Sequence, residues 1–304
     1  MNVTLGLVGL GRMGGNMSRR IARAGHTVVA WDRAEAARSA LGDEPRIETV
    51  ATLAELVARL PAPRLVWLML PAGAPTERTL AQLTPQLAQG DAIVDGANAM
   101  YRDSQRHAVE LAAHGIGFVD AGVSGGVWGL EHGYGLMVGG DRRVVQAVEP
   151  VLRALAPAPD RGWVHCGRAG AGHFAKMVHN GIEYGMMQAY AEGFALLRAK
   201  TELELDVPEI AEAWRHGTVI RSWLLDLTAE FLAQDAELTS IAPFVADSGE
   251  GRWTAHESID LGVPTPVMTL ALMERFASQG RGDYTNRLLA RMRQAFGGHA
   301  VKQG

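Results

Sequence analysis

The stretch that decides the fold runs from Asn2 to Asp32 and reads NVTLGLVGLGRMGGNMSRRIARAGHTVVAWD. It begins with a short β-rich run, VTLGLV, and passes through a GxGxxG turn into a helical stretch that reaches Gly25. A second β-rich run, TVVAW, follows and is closed by the acid. A strand, a glycine-rich turn, a helix, a strand and an acidic residue in this order predict the first βαβ unit of a Rossmann fold.

The glycines of this turn have the spacing that suits the pyrophosphate of a dinucleotide. Gly9 permits the tight turn, Gly11 lets the pyrophosphate approach the backbone, and Gly14 lets the helix close on the strand. The helix N-terminus then offers amides and the positive end of its dipole to the phosphates. A glycine-rich turn that serves packing alone is the alternative. The residues predicted to bind the cofactor here are Gly9, Leu10, Gly11, Arg12, Met13 and Gly14.

The acid at the end of the second strand bears on the choice of cofactor. Asp32 lies 18 residues after Gly14, where a carboxylate accepts hydrogen bonds from a ribose diol. A carboxylate at this position repels a 2′-phosphate and therefore favours NAD. Arg33 follows directly and is able to hold a 2′-phosphate, so NADP stays as the less favoured cofactor.

The alternation of strands and helices continues to about residue 165 and then stops. LVWLML, from Leu65 to Leu70, is the continuous apolar run expected of a parallel strand that is covered on both faces. Beyond Cys166 only helical patterns follow. We therefore predict a doubly wound, mostly parallel α/β Rossmann domain over residues 1–166 and an all-α domain over residues 167–304. Further strands are predicted at Ala92–Val94, Gly117–Asp120, Tyr134–Val138 and Trp163–Cys166.

The stretch GAGHFAKMVHNGIEYGMMQAY, from Gly170 to Tyr190, predicts the first turns of a long helix. Its polar side chains recur at i, i+3, i+4, i+7 and i+8, so at about 100° per residue they share one face. An amine, an imidazole, an amide, a carboxyl group and a phenol on one face are the parts of a proton-transfer site. These residues are Lys176, His179, Asn180, Glu183 and Tyr184.

The opposite face of this helix carries Val178, Ile182 and Ala189, which we predict to face the core. A solvated polar face with a Lys/Glu pair is the other interpretation of the polar side. Gly181 and Gly185 beside that side favour a functional face, because a helix that only faces water favours Glu, Lys and Ala there.

Three further segments carry candidate ligand-binding groups. Asp95-Gly96-Ala97-Asn98 ends a predicted strand at its carboxyl end, where Asn98 either orients a ligand or serves the turn alone. GVSGGVWG, from Gly122 to Gly129, is either an anion-binding nest with the Ser124 hydroxyl as a donor or a flexible surface loop. DSGEGRWT, from Asp247 to Thr254, is read as a loop that either contacts substrate or links two helices.

The composition excludes several classes of protein. The 304 residues are 47% apolar and suffice for two domains with full cores. A net charge of −4 without a long basic run argues against nucleic acid and against an anionic membrane surface. The single Cys166 excludes an intrachain disulfide and fits a reducing cytoplasm. We expect no signal peptide, no membrane span and no metal site.

Several of these stretches together resemble the 6-phosphogluconate dehydrogenase family, in its short bacterial form of roughly 300 residues within the β-hydroxyacid dehydrogenase group. Marks of the wider group are the N-terminal turn, the loop DAGVSGG and the helix motif G-x-G-x-x-x-K-x-x-x-N. The narrower marks are DGAN, VSGGVWG, KMVHNGIEYGMMQ, GRWT with a following GVPTP, and the terminal RQAFGGH. The resemblance extends from Met1 to His299.

This resemblance implies oxidative decarboxylation of 6-phosphogluconate to ribulose 5-phosphate and CO2, with reduction of NAD. Lys176 matches the family's catalytic base and Glu183 its acid, and a lysine shielded from water is suited to act as a base. Tyr184 and Arg275 match phosphate ligands, while Arg293 and His299 match a C-terminal pair that reaches the neighbouring subunit's site. Residues that match ligands of the substrate carboxylate and hydroxyls are Asn98, Ser124, Gly125, Gly126, His179 and Asn180; Asn98 is also expected at the nicotinamide.

The chain departs from the family's long form in three places. Ser248-Gly249-Glu250 stands where the long form has a Lys and a Thr, and a carboxylate beside a phosphate is repulsive, so those two ligands are not transferred. Gly96-Ala97 precedes Asn98 where Gly-Gly is usual. Asp32-Arg33-Ala34 replaces the Asn and Arg-Thr of the NADP-dependent long form, which supports NAD.

Two other functions compete with this one. A β-hydroxyacid dehydrogenase of the 3-hydroxyisobutyrate type, or an imine reductase, would act on an unphosphorylated substrate. A non-catalytic dinucleotide-binding scaffold is a possibility because fold alone does not give function. In each case the apolar run GMMQAYAEGFALL suggests a helix that a second subunit covers, so we expect a homodimer or homotetramer.

Overall fold

Eight strands of the N-terminal half form one sheet in the computed structural model, which describes residues 2–297 and 300–302. Their order is β3-β2-β1-β4-β5-β6-β7-β8, and every neighbouring pair is parallel except β6 and β7. The strands are β1 (Thr4–Val8), β2 (Thr27–Trp31), β3 (Ile47–Thr49), β4 (Leu65–Leu68), β5 (Ala92–Asp95), β6 (Gly117–Ser124), β7 (Gly135–Gly140) and β8 (Trp163–Gly167).

Helices cover both faces of this sheet, as the alternating pattern predicted. Successive strand residues point to opposite faces, so Leu7 and Trp67 belong to one apolar cluster whereas Val8 and Leu68 belong to the other. The doubly wound, mostly parallel fold is therefore confirmed. The helices of this half are α1 (Arg12–Arg23), α2 (Glu35–Ser39), α3 (Leu53–Arg59), α4 (Ala74–Leu83), α5 (Tyr101–Ala112), α6 (Gly129–His132) and α7 (Arg142–Leu155).

The order of the strands reverses at the centre of the sheet. From β1 the chain first proceeds outward through β2 to β3, and then returns to place β4 and β5 on the other side of β1. Ligands of doubly wound sheets bind at the carboxyl ends of the strands at this reversal. The switch point therefore lies at the ends of β1 and β4, next to the glycine-rich turn.

The C-terminal half is helical: no strand is present among residues 178–297. A 29-residue helix, α8 (Ala171–Ala199), contains the division between two compact units, Met1–Met177 and Val178–Gly304. We keep the predicted domain boundary after Cys166 as a proposal. None of the helices in the described parts of the chain combines the length and apolarity that a bilayer requires. The others are α9 (Val207–Trp214), α10 (Trp223–Gln234), α11 (Glu250–Leu261), α12 (Pro266–Ser278) and α13 (Asp283–Gly297).

Two segments predicted as loops are regular structure. Gly122 to Ser124 continues strand β6, where it pairs with Gly135 to Met137 of β7. Helix α11 begins at Glu250, so five of the eight residues of the predicted loop 247–254 are helical. The prediction was wrong because the helix turns a face with Gly251 and Thr254 into the protein, and these small or polar residues resemble a loop in the sequence.

The predicted core face of α8 is also wrong. Ile182 is 51% exposed and Ala189 is exposed, whereas Lys176 and Asn180 on the polar side are buried. Periodicity shows which residues share a face, but it does not show which face the chain covers.

Candidate active site

The glycine-rich turn has the conformation that its spacing predicts. Gly9 adopts a φ of +95°, a conformation that favours glycine. A Cβ on Gly14 would overlap the carbonyl oxygen of Gly9, so the helix approaches the strand end at a distance that only glycine allows. Gly11 has open space where its Cβ would be, which leaves room for a ligand against the backbone.

The Asp32 carboxylate lies beside this turn and accepts a hydrogen bond from it. Its Oδ2 accepts a hydrogen bond of 2.7 Å from the Leu10 amide, and its Oδ1 accepts one of 2.8 Å from Ala34. The carboxylate at the end of β2 therefore ties down the turn after β1. Each carboxylate oxygen has a further lone pair, so both can still accept from ribose hydroxyls. Arg33 is exposed beside it.

A cavity of about 390 Å³ opens at the strand ends of the switch point. It joins the glycine-rich turn after β1 to the segments after β4 and β5, and its wall includes Asn98 and Val123. This brings together five of the predicted cofactor residues, and the room and the backbone amides fit a dinucleotide. They are Gly11, Arg12, Met13, Gly14 and Asn98.

Lys176 lies on the second turn of α8 and is buried. A Cβ on Gly122 of β6 would overlap the Cβ of Lys176, so the helix and the strand meet through this glycine. Gly172, one turn earlier, has no room for a side chain either, because the carbonyl oxygens of Asp120 and Met137 lie against it. Gly122 and Gly172 therefore set how closely α8, and with it Lys176, packs against strand β6.

Ser124 and the two glycines after it lie at the end of β6. Gly125 and Gly126 both have positive φ, +130° and +52°, and a one-turn 3₁₀ helix follows at Gly126–Trp128. Ser124 is half-buried and Gly126 is exposed. The amides of this segment are therefore presented at a strand end, as the interpretation of an anion-binding loop requires, although the segment begins as strand and not as loop.

Three polar residues of α8 lie close together in the helical unit. The Nδ1 of His179 is 3.1 Å from the Asn180 Oδ1 and 3.8 Å from the Glu183 Oε2. Asn180 is buried, while His179 and Glu183 keep about two-fifths of their side chains exposed. The His179 imidazole thus lies between the buried Asn180 amide and the Glu183 carboxyl group, which solvent or a ligand can reach.

The structure brings two of the predicted phosphate ligands together. The Arg275 guanidinium carbon lies 3.6 Å from the centre of the Tyr184 ring, a close cation–π contact, and its Nη1 donates to the Ala246 carbonyl. The Tyr184 hydroxyl is 3.3 Å from the Ser248 Oγ and 3.5 Å from the Glu250 Oε2. Glu250 is buried, so a carboxylate does lie at this pair.

The C-terminal pair is only half described. Arg293 is exposed on α13. His299 lies outside the described residues. A larger cavity of about 1210 Å³, lined by apolar side chains of α8, α9 and α10, contains none of the predicted site residues.

Sequence reasoning missed a buried polar cluster at the start of α8. Asp95 and Asp120 are paired across β5 and β6 and are fully buried, as are Ser104 and His173. Burial raises the pKa of the Asp95 carboxyl above its ordinary value of 3.8, and the positive charge of His173 opposes this rise. An acid at the carboxyl end of an apolar strand was the available signal, since both Asp95 and Asp120 follow such runs.

Comparison with known families decides what this arrangement belongs to. Residues 4–167 match the model of the NAD binding domain of 6-phosphogluconate dehydrogenase, and residues 172–302 match the model of the C-terminal domain of the same enzyme. The chain belongs to the 6-phosphogluconate dehydrogenase family. The recognition made from the sequence motifs is thereby confirmed.

Relatives within this family are similar over nearly the whole chain. An NAD(+)-dependent, decarboxylating 6-phosphogluconate dehydrogenase of Haloferax volcanii is 42% identical over 298 residues, 98% of both proteins. A putative 6-phosphogluconate dehydrogenase of Bacillus subtilis is 40% identical and covers 98% of this chain and 99% of its own. The Bacillus licheniformis decarboxylating enzyme is 37% identical, and the chain spans 63% of its length.

Solved structures show the same fold. Plasmodium falciparum 6-phosphogluconate dehydrogenase superimposes with a TM-score of 0.83 at 28% identity, and the match covers 99% of this chain and 66% of that one. A 3-hydroxyisobutyrate dehydrogenase of Mycobacterium tuberculosis gives a TM-score of 0.74 at 24% identity, over 93% of this chain and 94% of that one. The second likeness concerns the fold alone.

Proposed function

We propose that the protein oxidises and decarboxylates 6-phosphogluconate to ribulose 5-phosphate and CO2 and reduces NAD. The observation that carries this proposal is the match of both family models, in order, over residues 4–167 and 172–302. The full-length similarity to the NAD(+)-dependent, decarboxylating relative supports it. The presence of Lys176, Asn180 and Glu183 at helical spacing on α8 supports it too.

In the proposed reaction Lys176 acts as the base. Its amine, buried beside β6, takes the proton of the substrate 3-hydroxyl. The glycine-rich turn and Asp32 would hold NAD, which would supply the acceptor for the C3 hydride. The 3-keto acid then loses its carboxyl group as CO2, and the protonated Lys176 stabilises the enolate oxygen at C3. Glu183 donates a proton to the substrate C2, which becomes C1 of ribulose 5-phosphate, and this restores the carbonyl group at the neighbouring carbon.

Other residues of the chain hold the substrate in this proposal. Tyr184 and Arg275 bind its phosphate, with Arg293 and His299 as further ligands, and Arg suits phosphate because of its planar fork of donors. Asn180 orients the hydroxyl that Lys176 deprotonates. The His179 imidazole lies between the Asn180 amide and the Glu183 carboxyl group. The carboxylate and remaining hydroxyls are held by Asn98, Ser124, Gly125 and Gly126.

A substrate without a phosphate is the second candidate, and one observation favours it. The buried Glu250 carboxylate lies 3.5 Å from the Tyr184 hydroxyl, where it opposes a phosphate. A β-hydroxyacid of the 3-hydroxyisobutyrate type would avoid that repulsion.

We also propose that the protein is a cytoplasmic homodimer or homotetramer. Ile182 and Met186 of α8, Ile259 of α11 and Val267 of α12 leave large apolar side chains exposed in the single chain. Contiguous exposed apolar surface on a helical unit is typical of a subunit interface.

The test is the rate of NADH and NADPH formation by the purified protein with 6-phosphogluconate, gluconate and 3-hydroxyisobutyrate in parallel. We expect turnover with 6-phosphogluconate, and NAD preferred over NADP. Turnover with 3-hydroxyisobutyrate alone would establish the second candidate. No turnover with any acid would favour the scaffold interpretation.

A further inference from the structure

The first turn of α8 is anchored to the sheet by a carboxylate from a different element. Asp120, at the centre of β6, accepts a hydrogen bond of 2.7 Å from the Gly170 amide through Oδ1 and one of 2.8 Å from the His173 amide through Oδ2. These amides belong to the group at a helix N-terminus that has no partner within the helix. Asp120 therefore caps α8 from outside, and its charge lies at the positive end of the helix dipole.

The His173 side chain forms a second anchor. Its Nδ1 is 2.6 Å from the Ser104 Oγ on α5, with both groups fully buried. Its Nε2 is also buried, and neither it nor the Asp95 Oδ2 has a hydrogen-bond partner among the described residues.

Asp95, the neighbour of Asp120 across β5 and β6, precedes the segment that lines the cavity at the switch point. Its Oδ1 accepts a hydrogen bond of 3.0 Å from the Ala97 amide, in the turn that carries Asn98. The Asn98 turn and the Asp120 anchor are thus joined through the paired strands β5 and β6. Lys176 follows three residues after His173 on α8, one turn from the anchor.

We propose that Asp120, His173 and Ser104 are positioning residues, which fix the first turn of α8 and thereby the place of Lys176 relative to Asn98. This role rests on the proposed function, in which Lys176 is the base. A misplacement of about 1 Å of a catalytic group costs on the order of a hundredfold in rate. The anchors therefore affect the rate of chemistry more than the binding of NAD.

The test compares Asp120→Asn with Asp91→Asn. Asp91 is an equally buried acid just before β5, and its carboxylate also accepts from two backbone amides, those of Arg64 and Ala88. Asp91 also accepts from the Arg64 guanidinium at 3.2 Å, so Asp91→Asn should cost at least as much stability as Asp120→Asn. The difference between them isolates the connection to α8.

Two measurements are made on these variants. Amide hydrogen exchange over residues 170–177 should accelerate at least about tenfold in Asp120→Asn and stay unchanged in Asp91→Asn. The kcat with 6-phosphogluconate and NAD should fall about 10- to 100-fold in Asp120→Asn, with a larger isotope effect on 3-deuterated substrate, while the Kd for NAD stays within about twofold.

His173 gives an independent pair of variants. Asn places its amide near the position of Nδ1 and can keep the bond to Ser104, whereas Phe removes both ring nitrogens. We expect His173→Asn to retain several times more kcat than His173→Phe, with equal Kd for NAD. Equal loss in the two variants would overturn the role of the Ser104 bond.

The outcomes separate the two proposals. Unchanged exchange at residues 170–177 in Asp120→Asn would overturn the anchor. Faster exchange with a wild-type kcat and isotope effect would overturn its positioning role. A wild-type protein without activity on 6-phosphogluconate would overturn the proposed function, and the exchange measurement would then decide on the anchor alone.

Discussion

The two units of the chain differ in how completely they bury their apolar side chains. In the unit Met1–Met177, Leu7, Trp67 and their neighbours fill both faces of the sheet and are completely buried. In the unit Val178–Gly304, Val219 is 99% exposed and Ile259 76%, and the described buried cluster there consists of Ala211, Ala229 and Leu232. The N-terminal unit therefore completes its own core, whereas the helical unit leaves many large apolar side chains exposed in the single chain.

Both units also bury polar side chains, such as Asp120 in the first and Glu250 in the second. The N-terminal unit buries Asp95, Asp120 and His173 in one cluster next to its strand ends, and Lys176 follows on α8. Buried ionisable groups are costly unless they are bonded, so they persist where they serve a site. The unit that completes its core therefore also contains the most constrained part of the proposed chemistry.

Loss of the proposed base should have the largest effect. Lys176→Met should lower kcat by at least about a thousandfold, because removal of a general base typically costs 10²- to 10⁴-fold. The Kd for NAD, measured by titration calorimetry, should stay within about twofold. Lys200→Met, at the exposed end of the same helix, is the control and should keep full activity. A Lys176→Met enzyme with most of its rate would exclude the lysine as base.

Charges on the exposed apolar face of α8 should break the assembly. We expect the double variant Ile182→Glu and Met186→Glu to weaken self-association at least about a hundredfold, because a buried unpaired charge costs about 3–5 kcal/mol. Val109→Glu, at an apolar position of α5 that is even more exposed, should have no effect. Sedimentation velocity over a range of concentrations measures both. A monomeric wild-type protein would show that the exposed apolar side chains of the helical unit do not serve self-association.

Adding a methyl group should change stability in opposite directions at the close contact of β6 and α8 and at an open position of α8. Gly122→Ala forces a Cβ into Lys176 and should destabilise the protein by about 1–3 kcal/mol, with a parallel fall in kcat. Gly193→Ala, on α8 where no described atom is near, should stabilise it by about 0.5–1 kcal/mol. Urea denaturation compares the two. Equal effects would mean that the contact is looser than the structure shows.

The smallest expected effect is a change in pH dependence. Because burial raises the pKa of Asp95, the folded state holds a proton that the unfolded state has lost above about pH 3.8. Stability should therefore fall as pH rises from 3.8 through the raised pKa, and Asp95→Asn should flatten this decline. Glu77 should act in the opposite sense, since the Arg106 hydrogen bond lowers its pKa and its contribution is lost as pH falls. An unchanged pH profile of unfolding in Asp95→Asn would contradict the assignment.

The sequence was informative where structure follows from neighbours along the chain. The first βαβ unit and the strands that begin at Ala92 and Trp163 were predicted because turn chemistry and periodicity act over a few residues. The α8 core face was wrong, since periodicity cannot tell a face covered by the same chain from one left open. The short strand Ile47–Thr49 gave no signal, because three residues are too few for a pattern.

The site was predictable only in part for a similar reason. The glycine-rich turn and the polar face of α8 are local patterns. The contact between Tyr184 and Arg275 joins residues far apart in the chain, so it could be expected only from resemblance to a family. The connection of Asp120 to Gly170 and His173 depends on the distance between a strand and a helix, which no spacing encodes.

The most direct test of the account is the stoichiometry of a single turnover with 6-phosphogluconate labelled at its carboxyl carbon. The account predicts one labelled CO2 for each NADH, and neither product from Lys176→Met. NADH without labelled CO2 would identify a simple hydroxyacid dehydrogenase, and would contradict the proposal that this helix carries both the base and the acid of an oxidative decarboxylation.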